Sequence, residues 1–333
     1  MAEQLQVVTI SYADLIQSSK QARNKSESES VIKSIGEAFG NNDASLGIVC
    51  ISDIPNFQEL RKRTLQLTHR LGNLQKEVLE KLEDEQSFYS VGWSHGKERV
   101  EGDKLDHSKG SYYFNPVSDT PLDDILLRDY TFTGTGDGSD GNSDRMGKEE
   151  FLRHAERNGA FYAPNIWPDQ IIEKETGQGC LPELKESAMD MGNLIRDVGL
   201  IVARQCDEYV LQQCKEYTPG KIENIIKNSL CCKARLLHYF PVDSNPENMN
   251  IESNQKNEKQ QNSDVDFSNW CGWHNDHCSL TGLVPAIYTN SLGEEVKCPD
   301  PSAGLYIKAR DGRLAHVNIP TNALAFQIGG KST

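Results

Sequence analysis

Trp273-His274-Asn275-Asp276-His277-Cys278-Ser279-Leu280-Thr281-Gly282-Leu283 sets a polar cluster rich in metal-binding side chains directly ahead of an apolar run. In an extended strand or at its edge, residues two apart point to the same side. His274 and Asp276 then present an imidazole and a carboxylate to one ion. A 2-His-1-carboxylate set holds Fe(II) on one face and leaves the other positions open for co-substrate and dioxygen. The pair supplies two of those three ligands, and a second histidine from a neighbouring strand is expected as the third. Trp273 is placed to shield the site from bulk water. His-x-Asp is a weak motif by itself, because a surface histidine beside an aspartate forms an ion pair or a turn just as readily. Its position at the start of an apolar strand in a β-rich region strengthens the metal reading.

Other residues compete poorly for the same role. His277 points away from His274 and Asp276 if the strand is regular. His316 is the only histidine after it, and reads as a half-exposed residue of a later strand. A zinc site built from Cys271, His274, His277, Cys278 and Cys298 crowds four donors into eight residues without a second knuckle. Cys231-Cys232 reads as two ordinary thiols. The glycine-rich stretch 134–147 contains Gly136-x-Gly138-x-x-Gly141, but Asp137 and Asp140 would repel a pyrophosphate, and no strand and helix flank it. Counted from Asp140 as a calcium loop, its sixth and twelfth positions are Arg145 and Phe151, where Gly and Glu are needed. It reads as a solvated loop.

Upstream, residues 5–10 read as a strand through Val7, Val8 and Ile10, and a helical pattern follows through 12–17 and 31–39. Residues 46–51 (Leu-Gly-Ile-Val-Cys-Ile) form a buried strand that ends at Asp53-Ile54-Pro55. A helix starting near Pro55 and Asn56 carries Leu67, Leu71, Leu74, Val78 and Leu82 on one face. A longer helix from Pro182 to about Tyr217 buries Leu184, Ala188, Met191, Ile195, Val198 and Val202. After Pro219-Gly220 the pattern turns to strands at 234–240, 279–288, 304–310, 314–319 and 323–328, with Asp311-Gly312 as a tight hairpin turn of the primed type. Residues 244–269 are too polar to bury and read as a flexible insertion. The expected fold is α+β: an N-terminal helical and strand region, 1–225, packed on an antiparallel jelly roll, 226–333.

Composition narrows the function. At 333 residues the chain can bury a sizeable core. A formal net charge of −14, with basic residues scattered among acids, argues against nucleic acid as a partner. No long apolar run or basic leader is present, so a cytoplasmic protein with no membrane contact is expected. Nine cysteines, an odd number in a long chain without an export signal, read as reduced thiols. The expected partner is a small-molecule substrate, and the expected state a monomer.

Four features, in this order along the chain, resemble the isopenicillin-N-synthase-like plant branch of the Fe(II)/2-oxoglutarate-dependent oxygenases. They are Ser45-Leu46-Gly47-Ile48-Val49, then Arg235-Leu236-Leu237-His238-Tyr239-Phe240-Pro241, then Trp273-His274-x-Asp276 with Leu280-Thr281-Gly282-Leu283, and last Gly304-Leu305-Tyr306-Ile307 continuing to Ala325-Phe326-Gln327-Ile328-Gly329. The resemblance covers most of the chain. It implies a double-stranded β-helix (jelly roll) and a dioxygenase that uses Fe(II), with 2-oxoglutarate as co-substrate, to hydroxylate or desaturate a small organic molecule. His274 and Asp276 would be iron ligands, and Tyr239 would lie in the strand that reaches toward the co-substrate. Two departures stand out. The family's Asn-Tyr-Tyr-Pro segment reads His238-Tyr239-Phe240-Pro241 here, without the second hydroxyl. Relatives continue to a distal iron-binding His and an Arg-x-Ser that pairs with the co-substrate carboxylate, whereas this sequence ends at Lys331-Ser332-Thr333. A chain truncated in this way is expected to leave a sheet edge unpaired and to be impaired. The alternative is a non-catalytic jelly-roll relative that acts as a binding or interaction protein.

Overall fold

The computed structural model describes residues 3–19, 25–100, 104–130, 146–169, 181–241, 273–276 and 278–329. Most of the 134–147 loop, all of the 244–269 insertion, Cys271, His277 and the last four residues lie outside them. The elements, in chain order, are β1 (Glu3–Leu5), β2 (Val8–Ser11), α1 (Tyr12–Ser19), α2 (Lys25–Phe39), β3 (Ile48–Ser52), α3 (Phe57–Gly72) and α4 (Lys76–Lys81). There follow β4 (Gly92–His95), β5 (Arg99–Val100), β6 (Lys104–Leu105), β7 (Lys109–Phe114), α5 (Pro121–Tyr130), α6 (Lys148–Arg157), α7 (Gly159–Tyr162), α8 (Glu183–Gln213) and α9 (Lys221–Asn228). The last are β8 (Ala234–Tyr239), β9 (Thr281–Leu283), β10 (Tyr288–Thr289), β11 (Glu295–Val296), β12 (Leu305–Lys308), β13 (Leu314–Val317) and β14 (Ala323–Gln327).

Strands from the two ends of the chain share sheets. One sheet runs β2-β3-β14-β9, a second β4-β7-β8 and a third β1-β13-β12. In the first, β3 pairs parallel with β2 and antiparallel with β14, with Val49 opposite Phe326. Flanked on both sides and covered on both faces, β3 buries Ile48, Val49, Cys50 and Ile51 without alternation, the pattern of an interior strand.

α8 is the beam that joins the cores. Its 31 residues span roughly 45 Å. Leu184 and Ala188, near its start, belong to the core behind β4-β7-β8, with Trp93, Tyr112, Phe114, Trp167 and Leu236. Met191, Val198 and Val202 belong to the core behind β2-β3-β14-β9, with Val49, Ile51, Leu324 and Phe326. α3 does the same in the opposite sense, contributing Phe57 to the second of these cores and Leu67 and Leu71 to the first. The two sheets therefore lie on one helical layer. Thr64 and Ser187 tie the two helices together through a 2.8 Å contact between buried hydroxyls.

Three local expectations are corrected. The apolar face from Leu67 to Leu82 is divided between two helices, with Leu74 and Leu82 outside both, because Gly72 and Asn73 are poor helix residues and the Asn73 amide donates to the His69 carbonyl at 2.8 Å, capping α3. The strand expected over 279–288 is split into β9 and β10, with residues 285 and 286 drawn to α3. The hairpin at Asp311-Gly312 exists, but only Gly312 has positive φ (85°). Its N–H donates to Ala309 and the Ala309 N–H donates to Arg313. This is a three-residue loop ending in a glycine bulge, not a primed turn with two left-handed residues.

Candidate functional site

His274 and Asp276 converge. The His274 Nε2 and Asp276 Oδ1 atoms are 3.6 Å apart. They do so in an irregular segment, 273–276, that leads to β9, instead of within the strand itself. What fixes this segment is the chain just after β14, at Gly329. A Cβ built on Gly329 would sit 2.6 Å from the Asp276 carbonyl oxygen and closer still to that of Cys278. Only a residue without a side chain lets the two backbones approach so closely. β9 in turn pairs with β14, Gly282 opposite Phe326, and Gly282 lies against Ile195 of α8.

The hydrogen bonds on the carboxylate single out a residue that the motif alone did not. The Thr281 hydroxyl, at the start of β9, donates to Asp276 Oδ2 at 2.6 Å. Cys278 Sγ lies 2.8 Å from the same hydroxyl oxygen. Because the threonine proton is committed to the carboxylate, the thiol is the donor in that second contact. The other carboxylate oxygen, Oδ1, is the one turned toward His274.

The site is open. The His274 side chain is 62% exposed and that of Asp276 is 28% exposed. Trp273 is 55% exposed, so it does not close the site off from water as the sequence suggested. A nitrogen and an oxygen donor both about 2.1 Å from one ion, at a right angle, stand about 3.0 Å apart. A small side-chain rotation brings the observed 3.6 Å to that span, so the two donors fit a divalent ion that accepts nitrogen and oxygen ligands. Among the described residues, no group of three or more His, Cys, Asp or Glu side chains is placed to hold a metal ion. His316 is stacked on Tyr306 with ring centroids 4.5 Å apart, and its Nε2 is 3.3 Å from the Ala303 carbonyl.

Tyr239 lies in a different sheet, at the end of β8, opposite Lys109 of β7. It is 40% exposed. Alternation along β8 sends Leu236 into the helical core and Arg235, Leu237 and Tyr239 to the other face. Behind Tyr239 is an imidazole cluster. His238 packs edge-on against His69 of α3 at 5.5 Å and against Phe240 at 4.8 Å, and His95 of β4 lies 4.9 Å from Phe240. Burial, with the neighbouring His69 and His95, lowers the His238 pKa to about 4. His69 Nδ1 also contacts the Thr289 hydroxyl at 3.2 Å, which joins the cluster to β10.

On the same face as Arg235 is a charged network that no local motif announced. Lys109 pairs with Asp106 and, at 3.4 Å, with Glu98. Glu98 also receives the Tyr113 hydroxyl at 2.7 Å and Arg235 at 2.5 Å. Burial raises the Glu98 pKa, but Tyr113, Arg235 and Lys109 outweigh it and hold the carboxyl below its ordinary range. Arg61 of α3, also buried, donates to the carbonyls of Pro285 at 2.7 Å and Ala286 at 2.5 Å. That clamp positions the chain leaving β9.

No family model and no curated protein matches this sequence. Solved structures do match in shape. A protein of Caulobacter crescentus assigned to the 2OG-Fe(II) oxygenase family aligns with 97% of this chain and 73% of its own at a TM-score of 0.56 and 15% identity. A full-length protein of Neurospora crassa, in complex with alpha-KG, aligns with 98% of this chain and 74% of its own at a TM-score of 0.56 and 16% identity. JOX2, in complex with 2OG, Fe and JA, aligns with 99% of this chain and 66% of its own at a TM-score of 0.50 and 11% identity. At such identities the likeness is one of fold: this chain has the mixed α+β fold of 2OG-Fe(II) oxygenases.

Proposed function

We propose that this chain is a member of the Fe(II)/2-oxoglutarate-dependent oxygenases, of the isopenicillin-N-synthase-like branch, with a jelly roll over 226–333 whose sheets also take in strands of the helical and strand region, 1–225. The observation that carries the proposal is the 3.6 Å approach of His274 Nε2 to Asp276 Oδ1, in a chain whose fold is that of such enzymes. His274 and Asp276 are two ligands of the ferrous ion. Asp276 also offsets part of the ion's charge, and the Thr281 hydroxyl holds its second oxygen. Tyr239 presents its phenol on the face of β8 away from the helical core, where it contributes to holding 2-oxoglutarate. Ferrous ion, when bound, supplies the redox chemistry that couples oxidation of the 2-oxo acid to hydroxylation or desaturation of a small organic substrate.

Among the described residues, two protein donors face one another at the site, and the wide exposure of His274 leaves the pair open to water. That open, two-donor geometry supports slow turnover. The test is succinate formation from 2-oxoglutarate with Fe(II) and a reductant, measured beside the D276A variant. Slow turnover that D276A abolishes is expected. Robust succinate formation would overturn the expectation of slow turnover, and turnover indifferent to D276A would overturn the assignment of the ligands.

A further inference from the structure

We propose that Thr281 is a positioning residue that presents one chosen oxygen of Asp276 to a metal ion, an inference that rests on the ligand assignment for His274 and Asp276. A free aspartate rotates about its last torsion and offers either oxygen, or both, to an ion. Here that freedom is removed. Oδ2 accepts the Thr281 hydroxyl at 2.6 Å, a short bond of the kind expected between a hydroxyl and an ionised carboxylate. Oδ1 is left facing His274 Nε2 at 3.6 Å. The carboxylate is thereby set to bind through one oxygen, with the second occupied.

The hydroxyl is itself fixed from two sides. Its backbone is the first residue of β9, paired with Gln327 of β14. Its oxygen also contacts the Cys278 sulfur at 2.8 Å, which holds the hydroxyl from the side away from the carboxylate. The hydroxyl donates to the carboxylate oxygen opposite the one that faces His274. Outer hydrogen bonds of this kind orient ligands and tune metal affinity by about 10- to 100-fold.

The experiment compares Mn(II) binding to the full chain, followed by the electron paramagnetic resonance signal of the free ion, in the parent protein and in T281V, T281S, T281A and D276A. T281V keeps the shape of the side chain and removes the hydroxyl. It is expected to weaken Mn(II) binding about 10-fold or more with an unchanged unfolding midpoint, and T281S is expected to restore binding to within about 3-fold of the parent. T281A gives the same loss by a second route should T281V fail to fold. Parent-like affinity in T281V or T281A, with D276A inactive in binding, overturns the role of Thr281 and leaves the ligand assignment standing. Affinity unaffected by D276A overturns both.

Discussion

Replacing His238 by glutamine removes a proton-binding site that the folded state opposes. An ordinary imidazole titrates near 6.5, whereas burial against α3 and the proximity of His69 and His95 bring His238 to about 4. The unfolded chain therefore binds more protons than the fold between those two values, and stability rises with pH across that window. His238 costs nothing well above pH 6.5, destabilises progressively as pH falls toward 4, and adds no further loss below that. At pH 4.5 the difference between the two titrations amounts to about 2.6 kcal/mol. Partial access of water to the ring screens some of this, which leaves about 2 kcal/mol. Urea unfolding of the parent and H238Q at about pH 7.5 and about pH 4.5 reads the effect directly. The parent should lose about 2 kcal/mol more than the variant between the two pH values, a difference of roughly 1 M in urea midpoint. Parallel losses in the two proteins would refute the placement of a neutral imidazole in that cluster.

Three further substitutions probe separate parts of the structure. Lys109→Met leaves the Asp106 carboxylate buried without its cation, and should cost about 3–5 kcal/mol by chemical unfolding. Gly110→Ala drives a methyl group into the buried Trp93 indole, and should lower stability by about 1–3 kcal/mol with a change in tryptophan fluorescence. Tyr239→Phe should weaken 2-oxoglutarate binding to the metal-loaded chain by roughly 2- to 10-fold, as the loss of one hydrogen bond, with little effect on metal affinity in calorimetric titration.

What the sequence made legible were features with a short period. α8 was visible because Leu184, Ala188, Met191, Ile195, Val198 and Val202 repeat at helical spacing, and the helix found is Glu183–Gln213. β12, β13 and β14 each fall within the expected strands, because aliphatic residues cluster between turn residues. The boundaries that failed depend on single side chains: Asn73 capping α3, and Arg61 of α3 pulling on Pro285 and Ala286. That the His274 and Asp276 side chains lie close was legible because they are two residues apart. Thr281 is only five positions from Asp276, yet its hydrogen bond to that carboxylate depends on the bend at Cys278 and Ser279, which spacing alone does not specify. The network of Glu98, Asp106, Lys109 and Arg235 was beyond reach, since its members come from the loops flanking β5 and β6, from β7 and from β8, and only the pairing of β7 with β8 brings Arg235 to the others.

The assignment of His274 and Asp276 to one ferrous ion is tested most directly by anaerobic equilibrium dialysis of Fe(II) against the parent chain, H274A and D276A. One saturable site in the parent, weakened at least about 10-fold by either substitution, is the expected result. Binding of equal strength in all three proteins would contradict it.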